Sequence, residues 1–144
     1  MAKKTRRRKS VRKKASAGLQ NSPIYAYIPA KDMERARAFY EGKLGLKAKE
    51  VTPGGVIYRF AKGTACFLFQ TPNAGTSKAS QAFWQVDDIV REVRRLKARG
   101  IEFEKYDLPG LDADGIVTDS GAKAAWFKDS EGNIMAIIQS TYPP

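Results

Sequence analysis

Histidine is absent from all 144 residues, and cysteine occurs once, at Cys66. The first absence removes the commonest metal ligand and the commonest general base together. The second excludes an internal disulfide and fits a reducing compartment, so a cytoplasmic location is expected. Long apolar runs are missing too. No stretch approaches the ~20 apolar residues that span a bilayer, and none follows the basic start as a signal peptide requires. The basic excess is concentrated at one end. Residues 1–20 hold nine of the 26 Lys/Arg (Lys3, Lys4, Arg6, Arg7, Arg8, Lys9, Arg12, Lys13 and Lys14) and none of the 15 Asp/Glu. The other 17 bases stand against 15 acids, so the net charge of +11 belongs to this tail while the body is nearly neutral.

What remains is ordinary for one soluble domain: 42% hydrophobic and 28% charged residues, enough to bury a sizeable core. The tail, residues 1–20, has almost nothing apolar and is expected to be disordered alone. Its cations can neutralise phosphates without reading sequence, so non-specific nucleic-acid contact through residues 1–20 is one expectation. An anionic membrane surface and a merely solubilising extension are the others.

The folded region, residues 21–144, reads as two copies of one pattern. In module one (23–70), residues 24–28 make a strand and Asp32 caps a helix, because its carboxylate can accept a free backbone N–H. Met33, Ala36, Tyr40 and Leu44 recur at helical spacing, and Gly45 stops the run. Strands follow at 46–51, 56–60 and 65–70, separated by Pro53-Gly54-Gly55 and Lys62-Gly63. A polar linker, 71–79, leads to module two (80–140). Residues 81–86 make a strand, Asp88 caps a helix with Ile89, Val93 and Leu96 on one face, and Gly100 ends it. Strands are expected at 101–106, 116–119, 122–128 and 134–139. The two caps lie 56 residues apart, which suggests duplication of one supersecondary unit.

Three segments in this order carry a resemblance: IPAKDMERARAFYEGKLGLKAKE (28–50), VDDIVREVRRLKARGIEF (86–103) and WFKDSEGNIMAIIQ (126–139). The chain resembles the glyoxalase/bleomycin-resistance/extradiol-dioxygenase superfamily, the vicinal oxygen chelate fold. The implied fold class is α+β, with two tandem βαβββ modules forming a curved mixed sheet around a shared cavity, and a homodimer is implied as well.

Enzymes of the superfamily hold a divalent metal with four side chains, two per module. The resemblance sets those positions on Tyr25, Phe67, Gln81 and Ala136. A phenol, a phenyl ring, an amide and a methyl do not replace imidazoles and carboxylates, so neither metal nor other cofactor is expected. The metal-dependent isomerisation and dioxygenation of the family are disfavoured accordingly, and no catalytic residue is assigned. Strand alternation then groups Tyr25, Tyr27, Phe67, Phe69, Gln81 and Phe83 towards the cavity, with Arg59 as a cation and Trp126 near the closing turn. Cys66 and Trp84 point the other way. Such a lining suits a neutral or anionic aromatic ligand, although aromatics at strand spacing also serve as plain core filling.

Three readings stay open: a metal-independent small-molecule-binding protein, of the resistance or sequestration kind; a divergent enzyme working without metal; and an interaction protein that the tail carries to nucleic acid. Cys66 is read as an inert core thiol, Asp112 and Asp114 as a solvated loop, and Asp129 and Asn133 as stabilisers of the last hairpin.

Overall fold

The structure, a computed structural model, describes residues 18–140. Both helix caps form as the sequence requires. The Asp32 carboxylate accepts from the Arg35 N–H at 3.0 Å, and the Asp88 carboxylate from the Arg91 N–H at 3.1 Å. Helix α1 (Met33–Arg37) runs on into a π-helical turn, Ala38–Lys43, whereas α2 (Ile89–Ala98) is regular throughout. The wider π turn sends the adjacent Phe39 and Tyr40 both into the core. The Leu44 N–H closes it on the Phe39 carbonyl, and Gly45 then takes φ +76° to leave the helix.

Eight strands make two separate four-stranded mixed sheets. Sheet one holds β1 (Ala26–Ala30), β2 (Ala48–Thr52), β3 (Gly55–Arg59) and β4 (Ala65–Gln70) in the order β1-β4-β3-β2. Sheet two holds β5 (Ser80–Gln85), β6 (Val117–Asp119), β7 (Ala122–Lys128) and β8 (Ile134–Ser140) in the matching order β5-β8-β7-β6. In each sheet the first and last strands pair in parallel and the others antiparallel. The repeat inferred from the caps is thus a repeat of whole modules.

Two strand expectations need correction. Strand β1 lies two residues later than expected and includes Pro29, which a sheet edge tolerates because no ladder bond is lost there. Residues 101–106 form no strand. Ile101 and Phe103 are buried as the alternation suggests, but the backbone pairing of this segment with β7 is limited to the Phe103–Phe127 bridge and the Glu104 N–H to Trp126 carbonyl bond (2.8 Å). The rest of that edge belongs to β6, which pairs with Ala122–Ala124.

Both modules share one core. Ile28, Val56, Tyr58 and Leu68 of sheet one meet Ala125, Phe127, Met135 and Ile137 of sheet two, with α1 and α2 supplying Ala36, Tyr40, Ile89, Val93 and Leu96. Phe127 is its aromatic centre, with ring centroids 6.4 Å from Phe39, 6.3 Å from Trp84 and 5.7 Å from Phe103. Truncating so buried a phenylalanine ordinarily removes about 3–5 kcal/mol. Cys66 lies in this core, where burial pushes its thiol up to about 11, consistent with an unreactive group.

The turn between β7 and β8 ties the modules together. Asp129 Oδ1 accepts from the backbone N–H groups of Glu131 and Asn133, both at 2.9 Å, as the sequence suggests. Its other oxygen accepts from the Tyr40 hydroxyl at 2.5 Å and from Asn133 Nδ2 at 2.8 Å. That nitrogen also donates to the Pro29 carbonyl at 2.7 Å. Glu131, not singled out from the sequence, accepts more bonds than either. Its carboxylate receives the N–H groups of Lys31 (2.8 Å) and Asp32 (3.0 Å), two Arg35 guanidinium donors (2.8 and 3.0 Å) and the Ser130 hydroxyl (2.9 Å). Burial opposes its charge, but the bonds from Arg35, Asp32, Ser130 and Lys31 prevail and hold the carboxyl at about 2. Gly75 in the linker, at φ +75°, packs so closely on the Glu131 carbonyl that no side chain would fit.

Candidate functional site: the aromatic outer face

Strand alternation fixes which side chains turn away from the core. On β1, Ile28 and Ala30 go inwards, leaving Tyr27 60% exposed, with Tyr25 just before the strand 39% exposed. On β4, Cys66 and Leu68 go inwards while Phe67 and Phe69 stay half-buried on the outside. The rings assemble there. Tyr27 stacks on Phe69 with centroids 3.8 Å apart and leans on Phe67 at 5.9 Å. At the near end Arg59 Nη2 donates to the Tyr25 hydroxyl at 3.3 Å, its guanidinium carbon 5.8 Å from the centre of that ring. Sheet one therefore gathers five of the eight residues singled out from the sequence: Tyr25, Tyr27, Arg59, Phe67 and Phe69.

Sheet two carries the other three. On β5, Trp84 turns towards the core and packs near Phe60 and Phe127, leaving Phe83 56% exposed on the outer face, while Gln81 is half-buried at a break in the β5–β8 register. On β7, Ala125 and Phe127 go inwards and Trp126 outwards, its ring edge-on to Tyr106 at 5.8 Å. Trp126 belongs to a separate surface depression of about 620 Å³, shared with Lys78, Ser80, Glu104, Tyr106 and Lys128. None of the sheet-one aromatics lines it. A smaller hollow of about 320 Å³ opens beside Lys123 and Gln139. Tyr106 carried no warning in the sequence, since its role depends on residues 101–106 leaving the sheet.

The strand registers place two of the four positions that the resemblance assigns to metal ligands, Phe67 and Ala136. Tyr27 and Phe83 each stand five residues before their helix cap; Tyr27 pairs with Phe67, and Phe83 with Ala136. Phe67 and Ala136 are thus equivalent positions in the two sheets, on the same faces as Tyr27 and Phe83, with Ala136 buried there. Neither can donate an electron pair to an ion, the Tyr25 phenol is already engaged by Arg59, and Gln81 offers a neutral amide. This donor set does not fit a divalent ion. Asp112 and Asp114 are occupied otherwise. Asp112 accepts from the Asp114 and Ile116 N–H groups at 2.9 Å, and Asp114 pairs with Lys97 at 3.0 Å.

Paired βαβββ modules with helices and core on one side and aromatics on the other define an α+β protein of duplicated modules. The model of the Glyoxalase/Bleomycin resistance protein/Dioxygenase superfamily matches residues 23–137. The chain belongs to that superfamily. No curated protein sequence matches it. Among solved structures it is similar to TnmS3, an antibiotic binding protein from Streptomyces sp. CB03234, at 20% identity and a TM-score of 0.65, covering 83% of this chain and 96% of that one. UcmS2 is similar at 16% identity and 0.64, covering 81% and 98%. A glyoxalase/bleomycin resistance protein from Catenulispora acidiphila gives 20% and 0.62, covering 84% and 98%. At these identities the likeness shows the fold.

Proposed function

We propose that the chain binds a small neutral or anionic aromatic molecule on its outer face without a metal, as a resistance or sequestration protein does. One observation carries this: Tyr27 is stacked on Phe69 yet more than half exposed, on a side of the sheet that the core leaves bare. Large exposed aromatics gathered in one place are unusual on a monomer and mark interaction sites. The antibiotic binding described for TnmS3 supports the same reading. A second copy of the chain closing over this face would enclose the ligand, and a homodimer is part of the proposal. A library of aromatic compounds should raise the melting temperature, and the shift should vanish in a Tyr25→Ala/Phe83→Ala double variant. A library without a single hit overturns the reading. Near-equimolar Zn, Ni, Mn or Fe in purified protein overturns its metal-free part.

A second reading has its own support. The nine-cation tail is joined to module one, where residues 23–70 hold eight bases against four acids. Lys43, Lys47, Lys49, Arg59 and Lys62 are exposed there, and none takes part in an ion pair among the described residues. Residues 1–17 of the tail, which hold all nine cations, lie outside the described residues. DNA binding by the full chain should fall steeply with added salt and be lost on removing residues 1–20. Undiminished binding after truncation refutes it.

A further inference from the structure

The depression beside Trp126 has a chemistry of its own. Its floor is a tryptophan set edge-on to Tyr106 at 5.8 Å. The Tyr106 hydroxyl is buried and has no hydrogen-bond partner, the one side-chain polar atom of which this is true among the described residues. A buried O–H without a partner is costly, so a ligand acceptor that uncovers and meets it would recover part of that loss. The rim holds two lysines and one glutamate. Lys128 is 3.8 Å from Glu104, a long contact between partly exposed groups, and Lys78 is exposed with no ion-pair partner. The hollow exists because residues 104–106 leave the edge of β7 after one backbone bond to Trp126.

We propose that this depression is a subsite for a planar aromatic anion, its ring on Trp126 and Tyr106 and its charge facing Lys78 and Lys128. The inference rests on the small-molecule reading above but uses none of the sheet-one aromatics. An aromatic face, an unmet hydroxyl and a net positive rim are what an aromatic carboxylate, phenolate or sulfonate would satisfy together. The Tyr106 phenol meets such a ligand as a donor. Burial, with Glu104 beside it, raises its pKa above the ordinary value, so it keeps its proton at neutral pH.

The test uses the full chain and 2-naphthoate, read through the indole N–H resonances of its two tryptophans. Trp84, partly buried against the core on the opposite face of its sheet, is the internal control. A Trp126→Phe variant assigns the two signals. 2-Naphthoate should move the Trp126 signal and leave that of Trp84 in place, with a Kd on the order of 1 mM or tighter for so small a ligand. Lys78→Gln/Lys128→Gln should weaken binding about tenfold, Tyr106→Phe about threefold, and neutral 2-naphthalenemethanol should bind about tenfold more weakly than the acid. An unmoved Trp126 signal overturns the proposal, as does unchanged affinity in the lysine double variant. If affinity is lost instead in Tyr27→Ala/Phe69→Ala and kept in the lysine variant, this subsite fails while the small-molecule reading stands. If 2-naphthoate and the wider library both leave the protein unmoved, both fail.

Discussion

Module one and module two repeat the same order of elements, yet their last turns are built differently. The turn between β7 and β8 contains all three buried polar residues of the described chain, Asp129, Glu131 and Asn133, and reaches across to β1 and α1. The matching turn between β3 and β4, Ala61–Gly63, buries none of its residues and holds Lys62 at φ 59°, a conformation that favours glycine. Charge divides the same way. Module one has eight bases and four acids, module two eight bases and eleven acids. A duplicated fold thus needs its inter-module chemistry in one copy only, leaving the other free to vary.

This contrast can be broken by substitution. The largest effect is expected at Glu131→Gln, which leaves the Lys31 and Asp32 N–H groups and Arg35 with a poorer acceptor. Denaturant unfolding should show a loss of about 3 kcal/mol. The wild-type contribution should also depend on pH. The folded carboxyl titrates at about 2 against an ordinary 4.5, so its stabilisation is full above about pH 4.5 and is lost as pH falls towards 2. The Gln variant should lack that slope between those limits. Tyr40→Phe, which removes the hydroxyl bonded to Asp129, comes next with about 1–2 kcal/mol. Lys62→Gly in the module-one turn should change stability by no more than about 0.5 kcal/mol, relief of the left-handed backbone offsetting the greater freedom of the unfolded chain. A Lys62 variant as costly as the Glu131 variant would abolish the distinction between the turns. Native Cys66 should react with a thiol reagent only on unfolding, which checks that the shared core is closed.

Local chemistry made much of this fold legible. Asp32 and Asp88 announced both helices because a cap acts within three residues, and alternation sorted Cys66 and Trp84 to the core and Tyr27, Phe67 and Phe83 outwards. Glu131 was invisible for the opposite reason: its partners lie 96 to 100 residues away, and in sequence it is one acid in a polar turn. The apolar alternation of Ile101 and Phe103 reported burial correctly but not pairing, since β6 had taken the edge they would have extended. Trp126 could be singled out from the sequence, but its neighbour Tyr106 could not, because the hollow between them follows from that missing strand.

Pro29 has one more consequence. Its carbonyl takes the Asn133 amide, so this residue of β1 turns its backbone towards module two, on the side where proline has no N–H to offer. Strands β1 and β5 lie near each other without forming a ladder, and among the described residues no backbone-to-backbone hydrogen bond joins residues 23–70 to 80–140. Each of the hydrogen bonds described across that seam has a side chain at one end or both. Each half thus keeps its own ladder complete, and Glu131 and Asn133 carry the hydrogen bonds that join it to β1 and α1.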